Sequence, residues 1–179
     1  MRITVLVGNP KAKSRTRAVA ESVADAVADA VGAVAEVTER DVVELADYAG
    51  RLFDWADADV SALNEHVAGS DFLIVASPTY KATYTGLLKA FLDRYPTDGL
   101  AGTVAVPVMT GGSPHHSLAP DTGLRPLLVE LAASVPTRSL YAVVSSAGPD
   151  SSEDVARWAE ANRAALVGAA HARAALTRG

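Results

Sequence analysis

Short, nearly unbroken apolar runs, separated by segments of helical periodicity, constrain this chain more than any other feature. RITVLV at residues 2–7, FLIVA at 72–76, TVAVPV at 103–108 and LYAVV at 140–144 are too short for helices and rich in β-branched residues. Runs of that kind predict strands buried on both faces, as in a parallel sheet. A weaker alternation, VAEVT at 34–38, predicts one more strand. Pro107 lacks an N–H, so it is expected near the end of its strand or in an irregularity. Between the strands, Val19, Val23, Val27 and Val31 recur every four residues and predict a helix over Thr16–Val31. Further helices are expected over Ser61–Ala68, Gly86–Arg94 and Leu124–Ala133. A last one is capped by Ser151 or Ser152, carries Glu153 and Asp154 in its first turn, and ends among His171, Arg173 and Arg178, with Trp158 and Leu166 in the core. Residues 40–60 are acidic and read as a long excursion: Asp54, Asp57 and Asp59 as a solvated face, Phe53 and Trp55 as side chains that pack on a second subunit.

Five strands alternating with helices imply an α/β fold in which a parallel sheet is covered on both faces. The 179 residues carry no internal repeat or linker, so one domain over 1–179 is expected, a flavodoxin-like three-layer sandwich with a five-stranded sheet of order 2-1-3-4-5. In that order ligands bind beyond the carboxyl ends of the first and third strands, at the switch point. The loops placed there are GNPKAKSRT (8–16) and SPTYKATYTG (77–86), with TGGSPHH (110–116) alongside.

Composition narrows the chemistry. A net charge of −5 argues against nucleic-acid binding through a basic surface. With no cysteine, disulfides, thiolate nucleophiles and Cys-based metal sites are excluded, and a reducing, cytoplasmic setting is expected. The first residues enter a strand-like run rather than a leader, and no apolar stretch approaches the ~20 residues that span a bilayer. His115-His116 has no partner histidine or carboxylate at a ligand spacing, so no metal is expected.

The loops themselves leave two readings open. Ser14, Arg15 and Thr16 stand at a helix start, where unpaired N–H groups and the positive end of the dipole suit a phosphate; the same residues also serve as ordinary caps. Neither a Walker A lysine motif nor G-x-G-x-x-G is present. After Ser77-Pro78, a stiff loop is expected to present the N–H groups of Thr79–Lys81 and the ring of Tyr80 to a flat heteroaromatic ligand; alternatively Thr85 is a helix cap and Tyr80 or Tyr84 packs. Gly111 and Gly112 allow close backbone approach or a tight turn.

GNP…SRT, VASPTYKATYTGLLKAFLDRYP and VPVMTGGSPHHSLAPDTGLRP together resemble the NADPH-dependent FMN reductases of the flavodoxin-like superfamily, especially the reductase components of alkanesulfonate-type two-component monooxygenases. The resemblance reaches Pro126 and thins after about residue 135. It implies that Ser14, Arg15 and Thr16 hold the FMN phosphate. It implies that Pro78, Thr79, Tyr80 and Lys81 line the isoalloxazine, and that Thr110, Gly111 and Gly112 close over its other edge. Tyr84 and His116, the latter matching a GGxxxH pattern, are further candidates. The implied reaction passes hydride from C4 of NADPH or NADH to flavin N5, so the cofactor carries the chemistry and no catalytic side chain is required. Implied partners are a homodimer or homotetramer and a flavin-dependent monooxygenase that receives reduced flavin. Thr122 departs from the aromatic or histidine often found at its position in that family, which weakens the transfer of the tetramer and of that specific partnership and leaves FMN binding untouched. The competing readings are an FMN electron carrier that does not turn over nicotinamide, and a quinone or azo reductase on the same scaffold.

Overall fold

In the computed structural model, which describes residues 1–144 and 151–176, the strands are Arg2–Val7 (β1), Glu39–Glu44 (β2), Phe72–Pro78 (β3), Val104–Gly111 (β4) and Leu140–Val143 (β5). All pair in parallel, in the order β2-β1-β3-β4-β5. The helices are Arg15–Val31 (α1), Ala58–Ala68 (α2), Gly86–Leu92 (α3), Arg125–Glu130 (α4) and Ser152–Leu176 (α5). The α/β sandwich and its strand order are as expected from the sequence.

Alternate strand residues feed two cores. Ile3, Val5, Val7, Phe72 and Ile74 face α1 and α5. Leu6, Leu73, Val75 and Met109 face the opposite way, toward α2, α3 and α4. α1 meets the sheet through Val19, Val23 and Val27 with Ala20 and Ala24 between them, small residues that let the helix sit close. Each buried valine or leucine contributes roughly 1.5–3 kcal/mol, so the central strands are the most strongly held part of the chain. At the far end of the sheet, Asp71 accepts from the Arg2 N–H at 2.9 Å and from Arg173 Nε at 3.1 Å, tying α5 to β1 and β3. Burial pushes the Asp71 carboxyl up, and these donors outweigh it and hold its pKa below the ordinary carboxylate range.

Several boundaries differ from expectation. The second strand is ERDVVE at 39–44, not VAEVT at 34–38. It is an edge strand paired on one side with β1, and only Val43 and Glu44 are buried, so it lacks the apolar run that marks the others. The 40–60 excursion therefore holds most of a strand and a 3-10 turn at Leu45–Tyr48. Asp57 is no mere surface charge: it caps α2 by accepting from Val60 N at 2.9 Å and pairs with Arg51 at 2.6 Å. Pro107 lies mid-strand, in register with Val75. Ala105 N donates to Ser134 on the β5 side, and pairing with β5 begins only at Val108, so the proline's missing donor faces a gap. The helix expected over Leu124–Ala133 is a π turn at Pro120–Leu124 running into the shorter α4. Trp158 and Leu166 are core residues, whereas Arg178 lies outside the described residues.

Candidate functional site

The loops after β1, β3 and β4 enclose one cleft of about 380 Å³ at the switch point. Its walls are Asn9, Lys11, Lys13, Ser14, Arg15 and Thr16 from the first loop, Pro78, Thr79 and Tyr80 from the second, Thr110, Gly111 and Gly112 from the third, and Val144 after β5. The first wall forms because β1 ends at Gly8, where a Cβ would come within 2.6 Å of Leu88 Cβ. Glycine lets α3 close against the strand end, and Thr85 Oγ1 fixes the contact by donating to Gly8 O at 2.5 Å. Thr85 is also the N-cap of α3, accepting from Leu88 N at 3.1 Å.

The base of the cleft is a buried polar chain. Thr16 Oγ1 and Thr110 Oγ1 lie 2.8 Å apart, and Asn9 Nδ2 donates to Thr16 Oγ1 at 3.1 Å. This chain locks the start of α1 to the end of β4. Asn9 was not singled out from the sequence, although an asparagine directly after a strand and before a proline signals a turn. It makes one here, its Oδ1 accepting from Lys11 N at 2.9 Å.

At the helix start, Ser14 is the N-cap and accepts from Arg17 N at 3.2 Å. The N–H groups of Arg15 and Thr16 have no acceptor among the described residues, as expected of a first turn. Arg15 and Thr16 line the same cleft as Lys11 and Lys13. The side chains of these three cations have no ion-pair partner among the described residues, whereas Arg17, Arg51, Lys89, Arg125 and Arg173 each hold a carboxylate. Arg17 stands just behind, its pKa raised chiefly by its hydrogen bond to Glu21 and further by Glu44. Glu44 also accepts from Lys13 N at 2.8 Å, which holds Lys13 at φ 52° and turns the loop toward the cleft.

The second loop corrects one expectation. Thr79 N donates to Thr110 O at 2.7 Å, and Tyr80 and Thr83 exchange backbone hydrogen bonds at 2.9 and 3.2 Å. Two of the N–H groups expected to meet a ligand are therefore consumed within the chain, because the loop returns on itself in a tight hairpin. Lys81 and Ala82 occupy its tip at φ 52° and 68°, the signature of a type I′ turn usually made by Asn-Gly. The loop offers the cleft the half-exposed ring of Tyr80 and the Thr79 hydroxyl, a buried group with no partner among the described residues. Lys81, which the resemblance places along the ring, is exposed and not part of the cleft wall.

Two further candidates also lie elsewhere. His116 is exposed on the 3-10 turn Pro114–His116, and Tyr84 packs into the α3 side of the core beside Gly123. Neither lines the cleft. Gly111 does, but its small size serves the protein: a Cβ there would lie 2.0 Å from the Tyr141 hydroxyl, which donates to Ser113 O at 2.8 Å. No helix among the described residues is long and apolar enough to cross a membrane, and none of their His, Asp and Glu side chains form a group that could hold a metal.

A second hollow of similar volume, beside Trp55, Asn64, Arg94 and Tyr95, has no comparable donors. Arg94 is spent on Leu52 O, Asp54 O, Asn64 Oδ1 and Ser61 Oγ, and it lies 5.2 Å from the Trp55 ring centroid. Tyr95 is spent likewise, its hydroxyl donating to Asn64 O while burial pushes its pKa up.

Strand order 2-1-3-4-5 with a cation-rimmed cleft over the switch point defines a protein of the flavodoxin-like class. The chain belongs to the NADPH-dependent FMN reductase family, whose profile matches residues 1–148. It is 35% identical over 145 residues to an Escherichia coli K12 protein named FMN reductase (NADPH), covering 79% of this chain and 73% of that one. It is 32% identical to the NADH-dependent FMN reductase SfnF of Pseudomonas putida, over 82% and 79% of the two chains. The crystal structure of an oxidoreductase from Corynebacterium diphtheriae superposes with a TM-score of 0.80 at 31% identity, covering 94% of this chain and 98% of that one.

Proposed function

We propose that this chain is an NAD(P)H-dependent FMN reductase whose flavin lies in the cleft over β1 and β3. One observation carries the assignment to this cleft: among the described residues, Lys11, Lys13 and Arg15 have no carboxylate partner and the N–H groups of Arg15 and Thr16 no acceptor, in a protein of net charge −5. Unpaired cations at a helix start suit a phosphate monoester.

The remaining wall also fits FMN. The Thr79 hydroxyl is buried and has no partner among the described residues, which costs stability until a ligand supplies an acceptor or donor. Tyr80 offers an aromatic face, and Pro78, Gly111 and Gly112 complete a wall in which no catalytic acid or base is needed. FMN, when bound, supplies the acceptor for the hydride that the nicotinamide gives up. The chain's own part is to hold the phosphate through Arg15, Thr16 and the lysines, to fix the floor through Asn9, Thr16 and Thr110, and to place Tyr80 at the mouth.

Named relatives use NADPH in one case and NADH in another, so either dinucleotide is included in the proposal. A homo-oligomer belongs to it too, supported by Phe53 and Trp55, 79% and 64% exposed on a loop held by Arg94. So does a cytoplasmic role in supplying reduced flavin to a monooxygenase, supported by the cysteine-free sequence and the family resemblance of its loops.

The test is anaerobic stopped-flow mixing of protein, FMN and NADPH or NADH, following flavin absorbance. Rapid bleaching that saturates in both FMN and dinucleotide is expected. Flavin binding without bleaching would instead make the chain an electron carrier, and absence of both would end the assignment.

A further inference from the structure

Lys81 stands apart from the other cations of this region. It is exposed at the tip of the Tyr80–Thr83 hairpin, just past the last residue of its loop to line the cleft, and has no carboxylate partner among the described residues. Backbone chemistry does not account for a lysine here, because both central positions have positive φ and asparagine or glycine fits them better. Nor does the flavin phosphate. A phosphate monoester carries about −1.5 to −2 at neutral pH. Lys11, Lys13, Arg15 and the α1 N-terminus already supply more positive charge than that within the cleft. Lys81 is therefore positive charge placed outside the flavin cleft, on the rim beyond Tyr80.

The second ligand of the proposed reaction must enter by that mouth. A nicotinamide dinucleotide brings its ring to the flavin and leaves its phosphates outside, where they need a cation. Resting on the flavin-reductase reading, we infer that Lys81 binds a phosphate of the incoming nicotinamide dinucleotide and acts as a determinant of its affinity. The type I′ turn serves this role by holding the lysine forward, since reciprocal hydrogen bonds at 2.9 and 3.2 Å fix the base of the hairpin.

The test uses the full chain with saturating FMN and measures KM and kcat for NADPH and for NADH, with FMN affinity determined separately. Lys81→Asn removes the charge and suits the turn, and Lys81→Arg keeps the charge. Loss of one charge-assisted contact at an exposed rim should raise the dinucleotide KM of Lys81→Asn about tenfold, with FMN affinity unchanged. Lys81→Arg should restore most of the loss, and the salt dependence of KM should be shallower in Lys81→Asn than in the parent. A rise confined to NADPH assigns the contact to the 2′-phosphate, and a rise with both assigns it to the pyrophosphate. Unchanged KM for both dinucleotides, or a KM change matched by weaker FMN binding, overturns the inference while leaving the reductase reading intact. A parent protein that fails to oxidise either dinucleotide would remove both.

Discussion

Arg15→Ala separates the phosphate site from the fold. The Arg15 side chain is exposed and has no partner among the described residues, so its loss should change stability by less than about 0.5 kcal/mol. Its neighbour Ser14 is the N-cap of α1, and Ser14→Ala should cost about 1 kcal/mol of stability, which would blur the reading of any binding defect. Arg15 is thus the cleaner probe. A hydrogen bond between charged groups contributes about 1.5–3 kcal/mol. At an exposed cleft rim the lower figure applies, and about 1.4 kcal/mol corresponds to a tenfold change in Kd. The assay is titration of FMN fluorescence quenching at low and at high salt, with urea unfolding of both proteins in parallel. Arg15→Ala should bind FMN about tenfold more weakly at low salt, and the gap should narrow at high salt as the contact is screened. Equal affinity in parent and variant, with equal stability, would refute the placement of the phosphate at the start of α1.

Three further outcomes follow from the geometry. Asp71, whose folded pKa is depressed, contributes stability that is fully present above its unfolded value of about 3.9 and is lost as pH falls through the folded value. Asp71→Asn should therefore lower stability at neutral pH and flatten its decline below about pH 4, read by urea melts across that range. Ala82→Gly relieves a positive φ and should stabilise the chain by roughly 0.5–1 kcal/mol, seen as a small rise in Tm. Gly8→Ala puts a Cβ against Leu88 and should destabilise by roughly 1–3 kcal/mol while weakening FMN binding, because the Thr85–Gly8 contact that joins the loops is pushed apart.

The legible parts of the fold were those where burial is two-sided. β1, β3, β4 and β5 stand out because apolar residues fill both faces. β2 does not, because an edge strand needs only Val43 and Glu44 fully inside, while Arg40 and Val42 are exposed and the half-buried Asp41 is a charged residue held by Thr4 and His66. At the site, the lining residues Ser14, Arg15, Thr16, Pro78, Thr79, Tyr80 and Thr110 were readable from loop position and helix-start chemistry. What could not be read was how backbone donors are allocated. The Thr79 N–H goes to Thr110, the Tyr80 N–H to Thr83, and Gly111 makes room for Tyr141, each through a contact distant in sequence or set by turn geometry. The position of Lys81 outside the cleft depends on the same turn, which Lys-Ala does not announce as Asn-Gly would.

The most direct test of the account is a crystal structure of the chain with FMN. The account predicts the phosphate against the N–H groups of Arg15 and Thr16, within reach of Lys11, Lys13 and the Arg15 guanidinium, and the ring beside Thr79 and Tyr80. FMN bound elsewhere, in the hollow beside Trp55 and Arg94 for example, would contradict it.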